Sequence, residues 1–466
     1  MAKSKDMYLL IQNKLQPPLK RFYTRASEIL PPSLVMSKRY FEAKSYLELP
    51  AINDESDEAV RKIQRELISR TLRIALESVP FYMKEVKIDP DSVGPDNAME
   101  TLERFPMIDK DTIMKKPSDF VSRNFNKLTL IYTTSGGSTG RGIALWKRYG
   151  EYQAGEAFIE DMWGKFGFDK KSRVLRIGAD CIAPLDKPPC RIENRRLLVS
   201  PRHLNRKWLE VIVNCIDEFE PEFIHSYPSC LEVLAGHLRE KNRSLDVKAI
   251  FLASEEIKPE QLSFFYDVFK TKICFFYGAA EHVLLGYGCY DGENVRYHMN
   301  PLYGYAENAK DEYGYELVGT GLWNEAMPLI RYRTQDYGQL GDGLELCPVC
   351  GKRWKTVIKL DGRRQYYLTT KQGTRFPGLS VWVDKFIWDY VSSFQFVQNE
   401  PGALELHIIP RSDLSKEVEK RILDAQKKRL SEWFEPITLV KESEIPLTIS
   451  GKRRLVVVNT RKENQA

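Results

Sequence analysis

Residues 219–278 read FEPEFIHSYPSCLEVLAGHLREKNRSLDVKAIFLASEEIKPEQLSFFYDVFKTKICFFYG, and the fold class follows from this stretch. Phe223 to His225 is a short apolar run of strand type. Pro228 sits well in the first turn of a helix towards Arg239, since a helix start leaves the missing N–H unused. A second apolar run, Ala249 to Ala253, precedes Pro259, which opens another helix, and Ile273 to Tyr277 is a third strand. The order strand, helix, strand, helix, strand requires parallel pairing with right-handed crossovers. The expectation is an α/β core.

Working outward, the runs Tyr315 to Val318 and Leu329 to Tyr332, set among glycines between Gly304 and Leu346, predict antiparallel strands added to that core. Beyond Gly362 come a strand at Leu404 to Ile409, a charged amphipathic helix at Leu414 to Trp433 and a strand at Ile437 to Lys441. They suit a separate domain of about 100 residues. Upstream, Val60, Ile63, Leu67, Ile74 and Ala75 recur at helical spacing from Asp57 until Pro80 stops the run. Leu128 to Tyr132 predicts a strand leading directly into a Gly-rich segment, Thr133 to Gly142. The expected architecture is a large multi-layer α/β N-terminal domain, 1–361, whose parallel sheet carries antiparallel additions, and a small α+β C-terminal lid, 362–466.

A chain of 466 residues, 42% hydrophobic and 29% charged, is built to fold into two or more domains and is neither disordered nor fibrous. Seventy Lys and Arg against 64 Asp and Glu leave only +6, too little to argue for a nucleic-acid partner. Met1 to Leu15 lacks a long apolar run or a cleavage site, and no stretch approaches the ~20 apolar residues of a membrane helix. A soluble, cytoplasmic protein without membrane insertion is expected. Eight Cys are too dilute for a disulfide scaffold, and Cys347-Pro348-Val349-Cys350-Gly351-Lys352 has the form of a zinc knuckle. The other thiols, Cys181, Cys190, Cys215, Cys230 and Cys274, read as core residues, and His225 as a satisfied core histidine.

The segment Thr133-Thr134-Ser135-Gly136-Gly137-Ser138-Thr139-Gly140-Arg141 gathers hydroxyls, glycines and a cation behind a strand. Such a loop can wrap phosphate oxygens with converging backbone N–H groups; the same residues also suit a polar turn. It is not a Walker A loop, having no Gly-Lys-Ser/Thr. Four further segments follow in order: Ser254-Glu255; Tyr277-Gly278-Ala279-Ala280-Glu281; Pro328 to Asp336, ending Thr334-Gln335-Asp336; and Asp361-Gly362-Arg363 with the late Ile449-Ser450-Gly451-Lys452. The series resembles the adenylate-forming superfamily, and within it the phenylacetate–CoA ligase branch and its relatives associated with capsular polysaccharide synthesis. The upstream Val79-Pro80-Phe81-Tyr82 and Phe105-Pro106-Met107-Ile108-Asp109-Lys110 are similar to that branch's leader.

The resemblance implies an enzyme that uses ATP and Mg²⁺ to turn a small carboxylic acid into an acyl-adenylate, then transfers the acyl group to coenzyme A. Thr134 to Arg141 would clamp phosphates, and Glu281 would ligate Mg²⁺, a hard ion that prefers carboxylate oxygen. Ser254, Glu255, Tyr277, Gly278 and Ala279 would bind the nucleotide with Asp336, whose carboxylate accepts from the ribose hydroxyls while Arg363 approaches them. Lys452 would be the mobile catalytic cation of the lid. Taken alone, Glu281 also reads as a solvated side chain and Lys452 as part of a basic surface loop. The related branch has a Cys and a His after its Tyr-Gly-x-x-Glu segment, which makes Cys289 and His298 the remaining ligands of a structural Zn²⁺ with Cys347 and Cys350; alone, they read as a buried thiol and a surface imidazole. Departures from the pattern occur at Gly136-Gly137, Arg141-Gly142, Thr334-Gln335-Asp336 and Arg364-Gln365-Tyr366. Other acceptors, an amine, a sugar or a carrier thiol, and a nucleotide-binding scaffold without catalysis stay open as alternatives.

Overall fold

The computed structural model describes residues 32–134, 143–343, 345–363, 367–378, 381–448 and 451–459. Strands β1 (Ile131–Thr134) and β2 (Ala144–Lys147) form a hairpin apart from the main sheet. The expected strand from Leu128 begins late, because Asn126 accepts from Leu128 N at 2.9 Å and winds Lys127–Thr129 into a 3-10 turn.

The main sheet has twelve strands. Its first part comprises β3 (Val174–Ile177), β4 (Cys190–Glu193), β5 (Arg196–Val199), β6 (Phe223–Ser226), β7 (Ala249–Ala253) and β8 (Lys272–Gly278). All but β4 run parallel, with β3 between β5 and β6, and β7 between β6 and β8. The second part, β9 (Leu285–Tyr290), β10 (Val295–Met299), β11 (Gly304–Asp311), β12 (Gly314–Gly321), β13 (Tyr332–Leu340) and β14 (Thr356–Arg363), is antiparallel throughout. Leu329 and Ile330 lie outside it, correcting the expected strand there: Arg331 stands at φ 51°, a left-handed conformation that breaks an extended run before Tyr332.

Helix α1 (Glu58–Ser78) starts at Asp57, whose side chain accepts from Ala59 N at 2.8 Å, and buries Val60, Leu67, Leu72 and Ala75. Pro80 ends it by opening a second short helix, α2 (Pro80–Glu85). The leader motifs brace the segment before Asp336: Tyr82 Oη donates to Pro328 O at 3.3 Å and accepts from Ile330 N at 3.1 Å. Ile108 O accepts from Arg333 N at 2.8 Å. Helix α3 (Tyr149–Gly164) lays Trp163 flat on Phe251 of β7, 4.4 Å between ring centroids, and Phe251 stacks in turn on Phe223 of β6 at 5.3 Å. Helix α4 (Leu209–Phe219) precedes β6, and the crossovers α5 (Pro228–Glu240) and α6 (Pro259–Phe269) each carry Pro at their first turn.

After β14 the chain forms a small hairpin, β15 (Tyr367–Thr369) with β16 (Arg375–Pro377), and a four-stranded sheet of β17 (Val391–Gln398), β18 (Leu404–Pro410), β19 (Ile437–Lys441) and β20 (Val456–Val458). Helix α7 (Lys416–Leu430) is capped by Ser415 and has Glu417 and Glu419 in its first turn and Lys427, Lys428 and Arg429 in its last, in accord with its dipole. This part has its own apolar core, with Phe396, Leu406, Ile408, Ile422 and Phe434 fully buried. The protein is thus a large α/β body with antiparallel additions and a small α+β lid.

Phe251 is fully buried between two rings, so Phe251→Ala removes both stacks at once. We expect a loss of about 3–5 kcal/mol, seen as a lowered urea midpoint.

Candidate functional site

The carboxyl ends of β7 and β8 open into a cavity closed on its far side by the lid. Ser254, Glu255, Tyr277, Gly278, Asp336, Arg363 and Lys452, singled out separately in the sequence, all line it.

Asp336, on β13, links the antiparallel half of the sheet to the parallel half through its side chain. Tyr277 Oη of β8 donates to Oδ2 at 2.8 Å, and Arg363 Nε, directly opposite in the β13–β14 ladder, donates to Oδ1 at 2.8 Å. Burial and then the adjacent Asp336 push the Tyr277 phenol far up, so it stays a donor. Gln335 sits at φ 63°, and its backbone N–H is held by Glu316 Oε1 at 2.8 Å. A turn that glycine would adopt freely is thus imposed on Gln335 by a buried carboxylate.

Ser254, at φ 71°, turns the chain sharply at the end of β7. Glu255 then accepts from Ser229 N at 2.9 Å and Ser229 Oγ at 3.0 Å at the start of α5. Burial raises its carboxyl, opposed chiefly by Lys452. Lys452 reaches over from the lid: its Nζ donates to Ser254 O at 2.5 Å and lies 5.1 Å from the Tyr227 ring centroid. Its ammonium is lowered by burial and supported by Glu255. Gly451 lets the loop dock, since at φ 77° a Cβ would stand 2.9 Å from Pro201 Cβ. Arg453 fastens the loop by donating to Ser229 O at 3.5 Å and Leu204 O at 3.4 Å.

Ser135, Gly136, Gly137, Ser138, Thr139, Gly140 and Arg141 lie outside the described residues, as does the side chain of Thr134 at the end of β1. Ala279 and Glu281 occupy the turn after β8 and do not line the cavity; Tyr332 Oη is 3.5 Å from Glu281 Oε1. Sequence reasoning missed Lys147. This nearly buried β2 residue donates Nζ to Ala280 O at 2.9 Å and so ties the hairpin to the Glu281 turn. Burial pushes its ammonium down to about 7, against the pull of Glu281 and Glu151. Its one sequence signal is a lysine among the apolar residues of a short strand. The lid's wall of the cavity, Trp382, Trp388 and Phe394, was also unmarked.

Cys289, His298, Cys347 and Cys350 converge, each offering a ligand atom within 4.8 Å of the others. Cys289 Sγ and Cys347 Sγ are 3.8 Å apart, which is the edge expected, about 3.8 Å, when two thiolates sit ~2.3 Å from one tetrahedral zinc. His298 Nδ1 is engaged with Thr356 Oγ1 at 2.7 Å, whereas its buried Nε2 has no partner among the described residues. An orienting hydrogen bond on one ring nitrogen and a bare second nitrogen is how a metal-binding imidazole is held. Gly351, at φ 68°, closes the turn by donating its N–H to Cys347 O at 2.9 Å. The four residues fit a zinc ion.

No profile of a known protein family matches the chain. Protein CapK of Staphylococcus aureus is 22% identical over 443 residues, spanning 91% of this chain and 94% of CapK. A 2-hydroxyisobutyryl-CoA ligase in its postadenylation state, with R3-HIB-AMP bound, matches at a TM-score of 0.67 and 16% identity over 92% of this chain and 94% of that one. The same ligase with 2-HIB-AMP and CoA in the thioesterification state matches at 0.54 and 16% identity over the same shares. The chain therefore has the fold of the adenylate-forming CoA ligases.

Proposed function

We propose that this protein activates a carboxylic acid with ATP and transfers the acyl group to coenzyme A. The observation that carries the proposal is the docking of Lys452 into the cavity that already holds the Asp336, Tyr277 and Arg363 cluster. In the first step a carboxylate oxygen of the acid attacks the α-phosphorus and pyrophosphate leaves; in the second a thiol sulfur attacks the acyl carbon and AMP leaves. Asp336 receives the ribose hydroxyls beside Arg363. Ser254, Glu255, Tyr277 and Gly278 wall the base, and the lid, 362–466, presents the Lys452 ammonium to the crowded negative charge around the α-phosphate. In this reading the segment 134–141 would clamp the triphosphate, and Glu281, on the turn after β8, would hold Mg²⁺, which would neutralise phosphate charge. We place the protein in the cytoplasm. An amine, a sugar or a carrier thiol as acceptor would show as adenylation without thioester formation, and a pure scaffold as nucleotide binding without turnover.

Mg·ATP should bind, and pyrophosphate should exchange into ATP once the cognate acid is found in a panel of carboxylic acids. Glu281→Gln is expected to abolish most of that exchange; calorimetry without any Mg·ATP binding would reject the enzyme.

Lys452→Ala should slow adenylate formation about 10²- to 10³-fold while ATP affinity stays near that of the unaltered protein. Presteady-state assay of each half-reaction decides this: consumption of a synthetic acyl-adenylate is expected to remain close to normal, and adenylation at an unchanged rate would make Lys452 a surface residue.

The thiol and imidazole cluster is proposed to hold one structural zinc per chain. Elemental analysis of protein purified without chelator should show one equivalent, and Cys289→Ser should lose it and lower the melting temperature, because the ion pins β9 and β10 to the turn between β13 and β14.

A further inference from the structure

One built cationic position has no part in the mechanism above, and it faces the same end of the sheet as Lys452. Arg176 precedes the last residue of β3 and lies beside His225 of β6. Gly178, Tyr227 and Ser254 follow the carboxyl ends of three adjacent strands, β3, β6 and β7, where open α/β sheets gather their ligands. Tyr227 stands between the two cations. Lys452 Nζ is 5.1 Å from its ring centroid and Arg176 Cζ 5.8 Å, and its hydroxyl accepts from Ala179 N at 3.0 Å.

The Arg176 guanidinium is set in place by backbone. Nη1 donates to Ile177 O and His225 O, both at 3.4 Å, and the room it fills exists because residue 178 is glycine: a Cβ there would run into the guanidinium. Only the open side of the fork is closed by an acid, Asp180, with Nη2 to Oδ1 at 2.9 Å and Nε to Oδ2 at 3.4 Å. The exposures differ: the Arg176 side chain is 14% exposed, that of Asp180 51%. Asp180 rides on the single 3-10 turn Ala179–Cys181, whose carbonyls at Asp180 and Cys181 accept from Arg191 at 2.9 and 3.1 Å. A fixed fork, nearly buried, thus has a partner half in solvent that can be replaced without unpacking the core.

We infer that Arg176 receives a second anionic group of the acid being activated, a carboxylate or a phosphate-type oxyanion, in exchange for Asp180. The inference rests on the acyl-adenylate reading. The ends of β3 and β7 are two strand spacings apart, about 10 Å, so an acid with one carboxylate beside Lys452 spans to Arg176 with a backbone of roughly five to seven carbons. A planar guanidinium binds such an oxyanion through two parallel hydrogen bonds, a geometry that an alkyl or aryl monoacid cannot use. The substrate class is therefore a diacid or a phospho-acid of that length.

The test is ATP–pyrophosphate exchange by the full chain with the dicarboxylic acids from succinate to suberate, the monocarboxylic acid of each length, and the ω-phosphono acid of the best length. A diacid or its phosphono counterpart should be preferred over the equal-length monoacid by roughly 10- to 100-fold in kcat/KM, and the better of the two arms names the anion. Arg176→Met should collapse that ratio, and Asp180→Asn should raise it by releasing the fork. An ion pair with a merely structural role would shift the ratio in neither variant, and melting temperatures report whether each is folded. Monoacids used as well as diacids, no exchange with any diacid although Mg·ATP binds, or Asp180→Asn lowering the ratio would overturn the inference. Absence of Mg·ATP binding would instead remove the acyl-adenylate reading beneath it.

Discussion

The parallel pairing of β3, β6, β7 and β8 in register is the constraint on which the rest of the structure depends. Arg176, His225, Phe251 and Cys274 occupy one rung across the four strands, and β3, β6 and β7 all end within two residues of it while β8 runs on to Gly278. Gly178, Tyr227 and Ser254 follow the first three ends, and Ser254 lines the cavity together with Tyr277 and Gly278, the last residues of β8. A one-residue slip of any strand would turn its side chains to the opposite face and carry its end out of line. The aromatic stack of Trp163, Phe251 and Phe223 resists that slip by fitting one helix to two strands at a single height.

Asp336 ties the second half of the sheet to the first. A carboxylate so little exposed is tolerated because both oxygens are occupied, one by Tyr277 of the parallel half and one by Arg363 of the antiparallel half. Behind it, Glu316 holds Gln335 N and Arg333, and Arg333 also meets Asp311 at 3.0 Å. The leader residues Tyr82 and Ile108 brace the same segment from outside. This end of the cavity is therefore held in place from behind by Glu316, Arg333, Tyr82 and Ile108.

The lid meets this body through a second set of contacts. Arg239 of α5 donates to Asp389 Oδ1 at 2.9 Å and to Trp388 O at 3.2 Å, while Arg411 pairs with Glu240 and lies over Gly236, where any side chain would collide with its guanidinium. Together with Gly451 and Arg453 these contacts hold Lys452 at Ser254. Most are charge-assisted and lie at the edge of the cavity, a kind of interface that separates at less cost than an apolar one.

The sequence by itself determined the order and type of the elements. Short apolar runs set between Pro-started helices placed β6, β7 and β8 to within a residue or two, and Ile437 to Lys441 matches β19 end for end. It failed at Leu128 and Leu329, where an Asn-capped turn and a left-handed Arg331 override strand-prone residues. The resemblance picked out the seven residues that the structure brings into one cavity, and it added Cys289 and His298 to the Cys347 and Cys350 turn, the one part of that four-residue cluster with a local signature of its own. Arg176 and the lid's Trp382 and Trp388 left none, and Lys147 left only a lysine in an apolar strand. Their roles come from which strand lies beside which and how far a side chain reaches across it, and those are properties of packing between segments 50 to 200 residues apart, decided only when the tertiary structure closes.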